Sequence, residues 1–291
     1  PPSVPLLACD PYFGIWSPGN KLTDVGTTHW TGRAQRLTSL VRIDGAAFRL
    51  MGAEPAAVPA LEQTRLEVFP TRTIYTFAGQ GIQLTLTFLT PALPEDLDIL
   101  SRPVTYLTWD AKATDGQKHN VSVYFDASSE IAVNEPSQPV NFENADTSGV
   151  KAWRVGSVEQ GVLKKKGDDI RIDWGYFYVA MSGNKHAGLT AGTMRSTREG
   201  FISSGQLAAP AATSSLQNNS RNDSVIAYAA DLGDVGSKVS SCWLMLAYDD
   251  LYSIQYMKKN LRPYWRHNGW EAADLLKASA HDYASLQNRC A

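Results

Sequence analysis

The sequence predicts a mainly β fold: a large antiparallel β-sandwich followed by an amphipathic helix. Three observations carry this. Through the middle of the chain, short runs rich in Thr, Val, Tyr, Phe and Trp follow one another, bounded by Gly, Asp, Asn and Pro. Such residues suit a pleated, half-buried surface. Ten or more of these runs pass without an interleaved helical pattern, and strands connected this way pair antiparallel. From Trp270 the texture changes to WEAADLLKASAHDYASLQNRCA, whose composition is helical.

The chain opens aperiodically. Residues 10–32 read DPYFGIWSPGNKLTDVGTTHWTG, dense in aromatic and ionisable groups. Asp10 precedes Pro11 and is pushed to an extended conformation, and Ser17-Pro18-Gly19-Asn20 is a turn. Tyr12, Trp16 and Trp30 each join a large apolar face to a polar tip, which suits the wall of a polar-substrate pocket. The same rings can instead plug the open edge of a sandwich. His29, beside Trp30, suits proton transfer or a loop hydrogen bond. Asp10 is kept as a candidate catalytic carboxylate, and Trp16, Asp24, His29 and Trp30 as candidate substrate contacts.

The first hairpin is SLVRIDGAAFRLMG. Asp44-Gly45 supplies the positive φ angles of a tight turn between two alternating runs. TRTIYTFAG and IQLTLTFLTP flank Gly79–Gly81, with Ile82, Leu84, Leu86 and Phe88 on one face and Gln83, Thr85 and Thr87 on the other. PVTYLTWDAKA, HNVSVYFDAS, VKAWRVGS, DIRIDWGYFYVAMS, HAGLTAGTM, SVIAYAADLG and SSCWLMLAYDD continue the series. Together they make a supersandwich-like array with no propeller repeat. NEPSQPVNFENADTSG (134–149) reads as a long loop, LAAPAATSSLQNNSRNDS (207–224) as a mobile loop or linker, and Lys164-Lys165-Lys166 as a solvated hairpin turn. In the final segment Ala272, Leu276, Ala280, Tyr283 and Cys290 form one stripe, with Glu271 and Asp274 placed for the N-terminal dipole. No helix stop precedes Ala291. The helix is therefore expected to begin a further helical domain, with residue 291 a chain boundary or cleavage point. A lone helix packed across the sandwich is the other reading. Three units follow: 1–60 as a leading segment, 61–267 as the sandwich, and 268–291 as the start of a helical domain.

The chain has 291 residues, 43% hydrophobic and 19% charged, which is the composition of a globular protein. A net charge of -2 gives phosphate backbones or anionic membranes nothing to attract, so no nucleic-acid partner is expected. No apolar run is long enough to span a bilayer. Cys9, Cys242 and Cys290 are far apart without a C-x-x-C pair and read as structural. The nucleophile-elbow, zinc-protease, P-loop and dinucleotide motifs are all absent, and no metal or cofactor is expected. Sequons at Asn120, Asn218 and Asn222 are too common by chance to decide anything.

Two further clusters can carry chemistry. In LAYDDLYSIQY, Asp249 and Asp250 follow the last clear strand. Paired carboxylates serve hydrolysis as acid and base. Neighbours on a strand face opposite ways, so both enter one cleft only if the strand has ended there; otherwise one caps a turn. In IRIDWGYFYVA, Gly175 suggests a bulge or a close backbone approach. That would aim Asp173 or Trp174 at a substrate. Alternatively, Asp173 is a buried carboxylate satisfied by Arg171 or Arg154.

DPYFGIWSPGNKLTDVGTTHWTG followed by LVRIDGAAFRLMG resembles the start of the glutaminase A-like family of fungi and bacteria. RIDWGYFYVA and WLMLAYDDLYSIQY…LRPYWRHNGW are also similar to it. The resemblance covers nearly the whole chain. It implies a short leading domain, a β-sandwich and then a helical domain of the same parent chain, as the partner that this region contacts. It also implies a secreted protein, extracellular or periplasmic, that hydrolyses glutamine to glutamate and ammonia. The layout is equally similar to that of many glycoside hydrolases, so the expected ligand is a small amide or a glycan. A complete set of groups for amide hydrolysis is missing here, so this chain alone is expected to be inactive. A purely structural buttress for the helical domain is the third reading.

Overall fold

The computed structural model describes residues 3–216 and 223–291. Strands β1 (Val4–Ala8), β2 (Gly14–Ser17) and β3 (Thr28–His29) form a small sheet. Strands β4 (Leu37–Ile43) and β5 (Ala46–Met51) turn at Asp44-Gly45, whose φ angles are 48° and 90°, as the pair predicts. Strands β6 (Glu62–Val68), β7 (Arg72–Gly79) and β8 (Ile82–Leu89) form a meander, and Ile82, Leu84, Leu86 and Phe88 are all buried. A one-turn helix α1 (Leu97–Leu100) precedes β9 (Val104–Ala113), β10 (His119–Ser128), β11 (Val140–Asn144), β12 (Lys151–Ser157), β13 (Tyr176–Met181) and β14 (Ala187–Thr193). Helices α2 (Met194–Ser204) and α3 (Thr213–Leu216) lead to β15 (Ser224–Val235) and β16 (Ser240–Asp249). A small hairpin, β17 (Ile254–Tyr256) and β18 (Lys259–Leu261), and helix α4 (Ala272–Arg289) end the chain.

Two sheets make the sandwich. One has the order β14-β15-β10-β4-β5 and the other β11-β12-β13-β16-β9-β8-β7-β6, with every neighbouring pair antiparallel. Their inner faces share one core, in which Trp109 stacks on Tyr228, meets Phe125 edge-on and donates to Ser39 Oγ at 3.1 Å. Each outer face carries a helix. Helix α4 covers the eight-stranded sheet through Leu275, Leu276, Tyr283, Leu286 and Cys290, with Ala272 and Ala280 half-buried beside them. Burying each large apolar side chain is worth roughly 1.5–3 kcal/mol. Tyr106 Oη donates to Ser279 O at 2.8 Å, and Tyr283 stacks on Trp243. Helix α2 covers the five-stranded sheet through Met194 and Phe201, and Arg198 holds the fully buried Asp126 at 2.6 Å and 2.9 Å.

Several expectations change. The segment 1–60 acts at two places: β1 packs against β7 and β8, with Thr73 Oγ1 donating to Pro5 O at 2.7 Å, whereas β4 and β5 are strands of the sandwich itself. The 134–149 stretch contains strand β11 as well as a loop, because Val140 and Phe142 alternate into the core. Residues 169–175 are not strand; pairing starts only at Tyr176. Helix α2 interrupts the strand series. Lys164–Lys166 lie in an irregular exposed segment rather than a hairpin, and Lys165 reaches back to Asp173. Part of 207–224 and the sequons at Asn218 and Asn222 lie outside the described residues.

At one end of the sandwich, three connections meet over a histidine. His119 Nδ1 bonds Asp44 Oδ2 at 2.6 Å, and its Nε2 bonds Asp115 Oδ2 at 3.0 Å, with Gly81 packed against the His119 ring and Asp115. Donating to Asp44 and Asp115 raises the histidine's pKa, and Asp44 and Asp115 are lowered. A raised histidine stabilises fully below its unfolded value of about 6.5 and loses that contribution as pH rises through its folded value. The lowered carboxylates contribute above about 3.9 and lose it as pH falls through their folded values. Thermal melts of His119→Gln should therefore show a flatter dependence of Tm on pH above about 6.5 than the parent chain does. Parallel curves for the two proteins would refute the clasp.

Candidate functional site

A cavity of about 640 Å³ opens where the β1–β2 loop, the α1–β9 connection and the segment after β16 meet. Its volume suits a small ligand. The opening motif places Asp10 in its wall. Asp10 Oδ1 accepts from Tyr12 N at 2.7 Å and Phe13 N at 2.9 Å, a local turn that Pro11 favours. The two rings pin this turn to the sandwich. Tyr12 meets Trp174 edge-on at 5.3 Å, and Phe13 lies 6.0 Å from Phe177 and 5.8 Å from Tyr248. Asp10 Oδ2 makes no hydrogen bond to the described residues. The carboxylate is exposed at the cavity mouth, yet enough protein surrounds it that burial raises its pKa against the two backbone hydrogen bonds.

Asp250 enters the same cavity from the far end of the chain. Strand β16 ends at Asp249, so the two neighbouring carboxylates separate into different environments. Asp250 Oδ2 accepts from Ser253 Oγ at 2.6 Å, while Oδ1 is buried without a partner among the described residues. Burial, with the charges of Asp10 and Asp249, pushes Asp250 up to about 6. The charge of Asp10 helps to hold the proton on Asp250. Asp249 points away: it is 3% exposed, ion-paired to Arg266 and accepts Leu251 N at 3.0 Å. Its contacts are structural, and it is not among the residues that line the cavity.

The remaining sequence candidates lie behind or beside the wall. His29 is buried, with Nε2 3.1 Å from Pro11 O and Nδ1 3.0 Å from Thr31 Oγ1. A ring nitrogen facing a carbonyl must carry the hydrogen, which sets the Nε2–H tautomer. Burial lowers its pKa, so the ring is neutral. Trp30 Nε1 donates to the same Pro11 oxygen at 2.7 Å, leaving its ring exposed. Both residues brace the loop that carries Asp10. Trp16 is half-buried in β2, and Asp24 caps a turn by accepting Lys21 N at 2.8 Å. Trp174 is 2% exposed and donates to Tyr252 O at 3.1 Å, so it offers no face to a substrate. Of the two readings of Asp173, the structure has the buried carboxylate, with Lys165 and Gln138 rather than Arg171 or Arg154 as partners. Arg171 is taken by Asn134, Glu135 and Asp169, and Arg154 by Glu143.

Sequence reasoning missed the cations of the cavity. Arg102 lines it from the α1–β9 connection, held by Asp282 at 2.8 Å and lying over Trp270. Arg262 lines it from the other side, and Tyr264 lies half-exposed at the rim. Arg262 and Tyr264 belong to the LRPYWRHNGW motif, which could have drawn attention to them; nothing local marks Arg102. The cavity thus sets two carboxyls and two guanidinium groups among apolar and aromatic walls. That arrangement can bind a dipolar ligand and move a proton.

A family described as a domain of unknown function (DUF5127) matches residues 71–291. The chain belongs to it. A second domain of unknown function (DUF4964) matches residues 1–62. A curated relative, glutaminase A of Aspergillus oryzae, is 26% identical over 309 aligned positions, covering 98% of this chain. The chain spans 43% of that relative's length. The likeness read from the opening motif and from 171–180 and 243–270 agrees with this relative. Among solved structures, a kojibiose phosphorylase described as putative, from the human microbiome, aligns at 9% identity and a TM-score of 0.39, over 92% of this chain and 30% of that one. No helix among the described residues is long and apolar enough to cross a membrane.

Proposed function

We propose that this chain is the cleft-forming β region of a longer amidohydrolase of the glutaminase A type. The cavity receives the polar end of an amide substrate, and Asp250 is the general base. The observation that supports this most is the meeting of Asp10 and Asp250 in one cavity, with Asp250 poised near 6. Above that pH, the Asp250 carboxylate takes a proton from water as the water attacks the amide carbon. The proton then passes to the departing nitrogen, giving a carboxylate and ammonia. Asp10 is a positioning residue that keeps Asp250 basic. Arg102 and Arg262 offer positive charge to a substrate carboxylate or to the developing oxyanion. A helical domain following in the parent chain closes the cleft and supplies the remaining groups, so residues 1–291 alone show no turnover.

The test is glutamine hydrolysis by the longer protein. Asp250→Asn should lower kcat by about 10²–10⁴-fold. In the parent protein kcat/KM should fall on the acid side near pH 6, and Asp250→Asn should lose that limb. Asp10→Asn removes a negative neighbour, so the limb should move to lower pH while the plateau largely survives. If both variants change stability but not turnover, the region is a buttress only. Turnover of a glycoside in place of an amide would move the reading to carbohydrate chemistry, for which the exposed Trp30 ring near the cavity mouth is the feature on hand. The same reading makes the protein secreted, extracellular or periplasmic, and its recovery in the cytosol would remove that part.

A further inference from the structure

A second cavity, of about 480 Å³, lies on the outer face of the five-stranded sheet, beside the C-terminal end of α2. Arg42 of β4 and Ser122 of β10 are direct cross-strand partners and present their side chains there. Arg42 has no carboxylate within ion-pair distance among the described residues. Its Nη2 donates to Ser203 O at 3.3 Å near the end of α2, which fixes the guanidinium. Nη1 makes no hydrogen bond to the described residues. Ser122 is 5% exposed and its hydroxyl has no partner among them either. Both groups converge over Gly205, the left-handed residue that ends α2 with φ 76°. A Cβ added there would stand 3.1 Å from Ser122 Oγ and 3.5 Å from Arg42 Nη1. The missing side chain thus leaves a pocket over two unused donors.

The rim sets the ligand's chemistry. Asn120, His186 and Gln206 line the cavity; their backbone N–H groups donate to Asp44, Asn184 and Ser204, and their own side chains make no hydrogen bond to the described residues. Asp231 also lines it, with one carboxylate oxygen held by Gly233 N at 2.8 Å and the other free to accept. Arg42 is half-buried, its Nε is buried without a partner among the described residues, and a bound acceptor is therefore favoured over Arg42 and Ser122. Asp231 disfavours a bare anion and favours hydroxyl donors. The space also exceeds what one inorganic ion fills. Among the described residues no Phe, Tyr or Trp lines the cavity, so a broad stacking platform does not contribute. We propose that this cavity is a binding site for a small polyhydroxylated acid, its carboxylate on Arg42 and Ser122 and its hydroxyls on Asn120, Gln206 and Asp231. The site is independent of the Asp10–Asp250 cleft, and neither proposal depends on the other.

The test is calorimetric titration of the chain with D-glucuronate, alongside D-glucose, which lacks the carboxylate, and inorganic phosphate, which lacks the hydroxyl chain. Glucuronate should bind saturably, and the other two about tenfold more weakly or less. Arg42→Gln should lose about tenfold or more in affinity. Ser122→Ala and Gln206→Ala, milder changes that spare the tie to Ser203, should each lose severalfold. The proposal is overturned if glucuronate gives no saturable heat, if glucose or phosphate binds as tightly, or if binding survives unchanged in Ser122→Ala and Gln206→Ala.

Discussion

Replacing Arg266 by methionine should destabilise the chain by about 3–5 kcal/mol, the usual cost of stranding one member of a buried ion pair. The Arg266 and Asp249 side chains are 2% and 5% exposed, and they join the end of β16 to the residues just before α4. The guanidinium also lies 4.4 Å over the Trp265 ring and donates to Trp270 O at 3.1 Å. Without it, the Asp249 carboxylate stays buried with only Leu251 N as a partner. Exposed pairs behave differently. Arg195 and Glu199, at 86% and 67% exposure, should contribute only about 0–1 kcal/mol. The burial of both Arg266 and Asp249 decides the contrast. The double variant Arg266→Met/Asp249→Asn should recover part of the loss, because neither charge is then left alone. Urea denaturation reads all three variants. A cost below about 0.5 kcal/mol for Arg266→Met would mean that the pair does not hold this corner.

Much of the sandwich was legible because period-2 alternation and turn chemistry are local signals. Asp44-Gly45 and the Gly79–Gly81 stretch announce their hairpins, and Ile82 to Phe88 announce a buried face. Helix α2 was not legible, since MRSTREGFISS spends its inner face on Met194, Thr197, Arg198 and Phe201, a half-polar stripe. Its hold on the sheet is the Arg198–Asp126 pair, whose members lie far apart in sequence. The same limit applies to the cavity. Asp10 and Asp250 could be singled out by their motifs, but only tertiary structure separates Asp250 from Asp249. Arg102 shows why sequence reading stops there. It is an ordinary arginine until the fold brings it to the cavity that Asp10 lines. The aromatics of the opening segment turned out to be fasteners: Tyr12, Phe13, His29 and Trp30 hold the loop, and Asp10 is the group they expose.

The Gly175→Ala exchange should cost about 4 kcal/mol or more, in the range that marks a specific structural failure. Two effects act together. Gly175 has φ 75°, where an ordinary residue pays about 1–2 kcal/mol. More important, an added Cβ would overlap the Asp249 carbonyl oxygen and stand 3.0 Å from both Asp249 C and Asp250 Cα. These are backbone atoms at the end of a central strand and just past it, and they cannot swing aside as a flexible side chain would. Relief requires parting β13 from β16 at Tyr176↔Asp249, the pair that ends their ladder. That movement would carry Asp250 and the Ser253 turn with it, so the longer protein should also lose the acid limb assigned to Asp250. Gly116→Ala isolates the first effect: its φ is 82° and nothing lies within 4 Å of the added Cβ. It should cost only about 1–2 kcal/mol. Equal losses in the two variants, measured by urea denaturation, would show that φ alone matters and that the close approach at Asp249 is unimportant. A loss at Gly175 several times larger would make that approach the reason a glycine precedes β13.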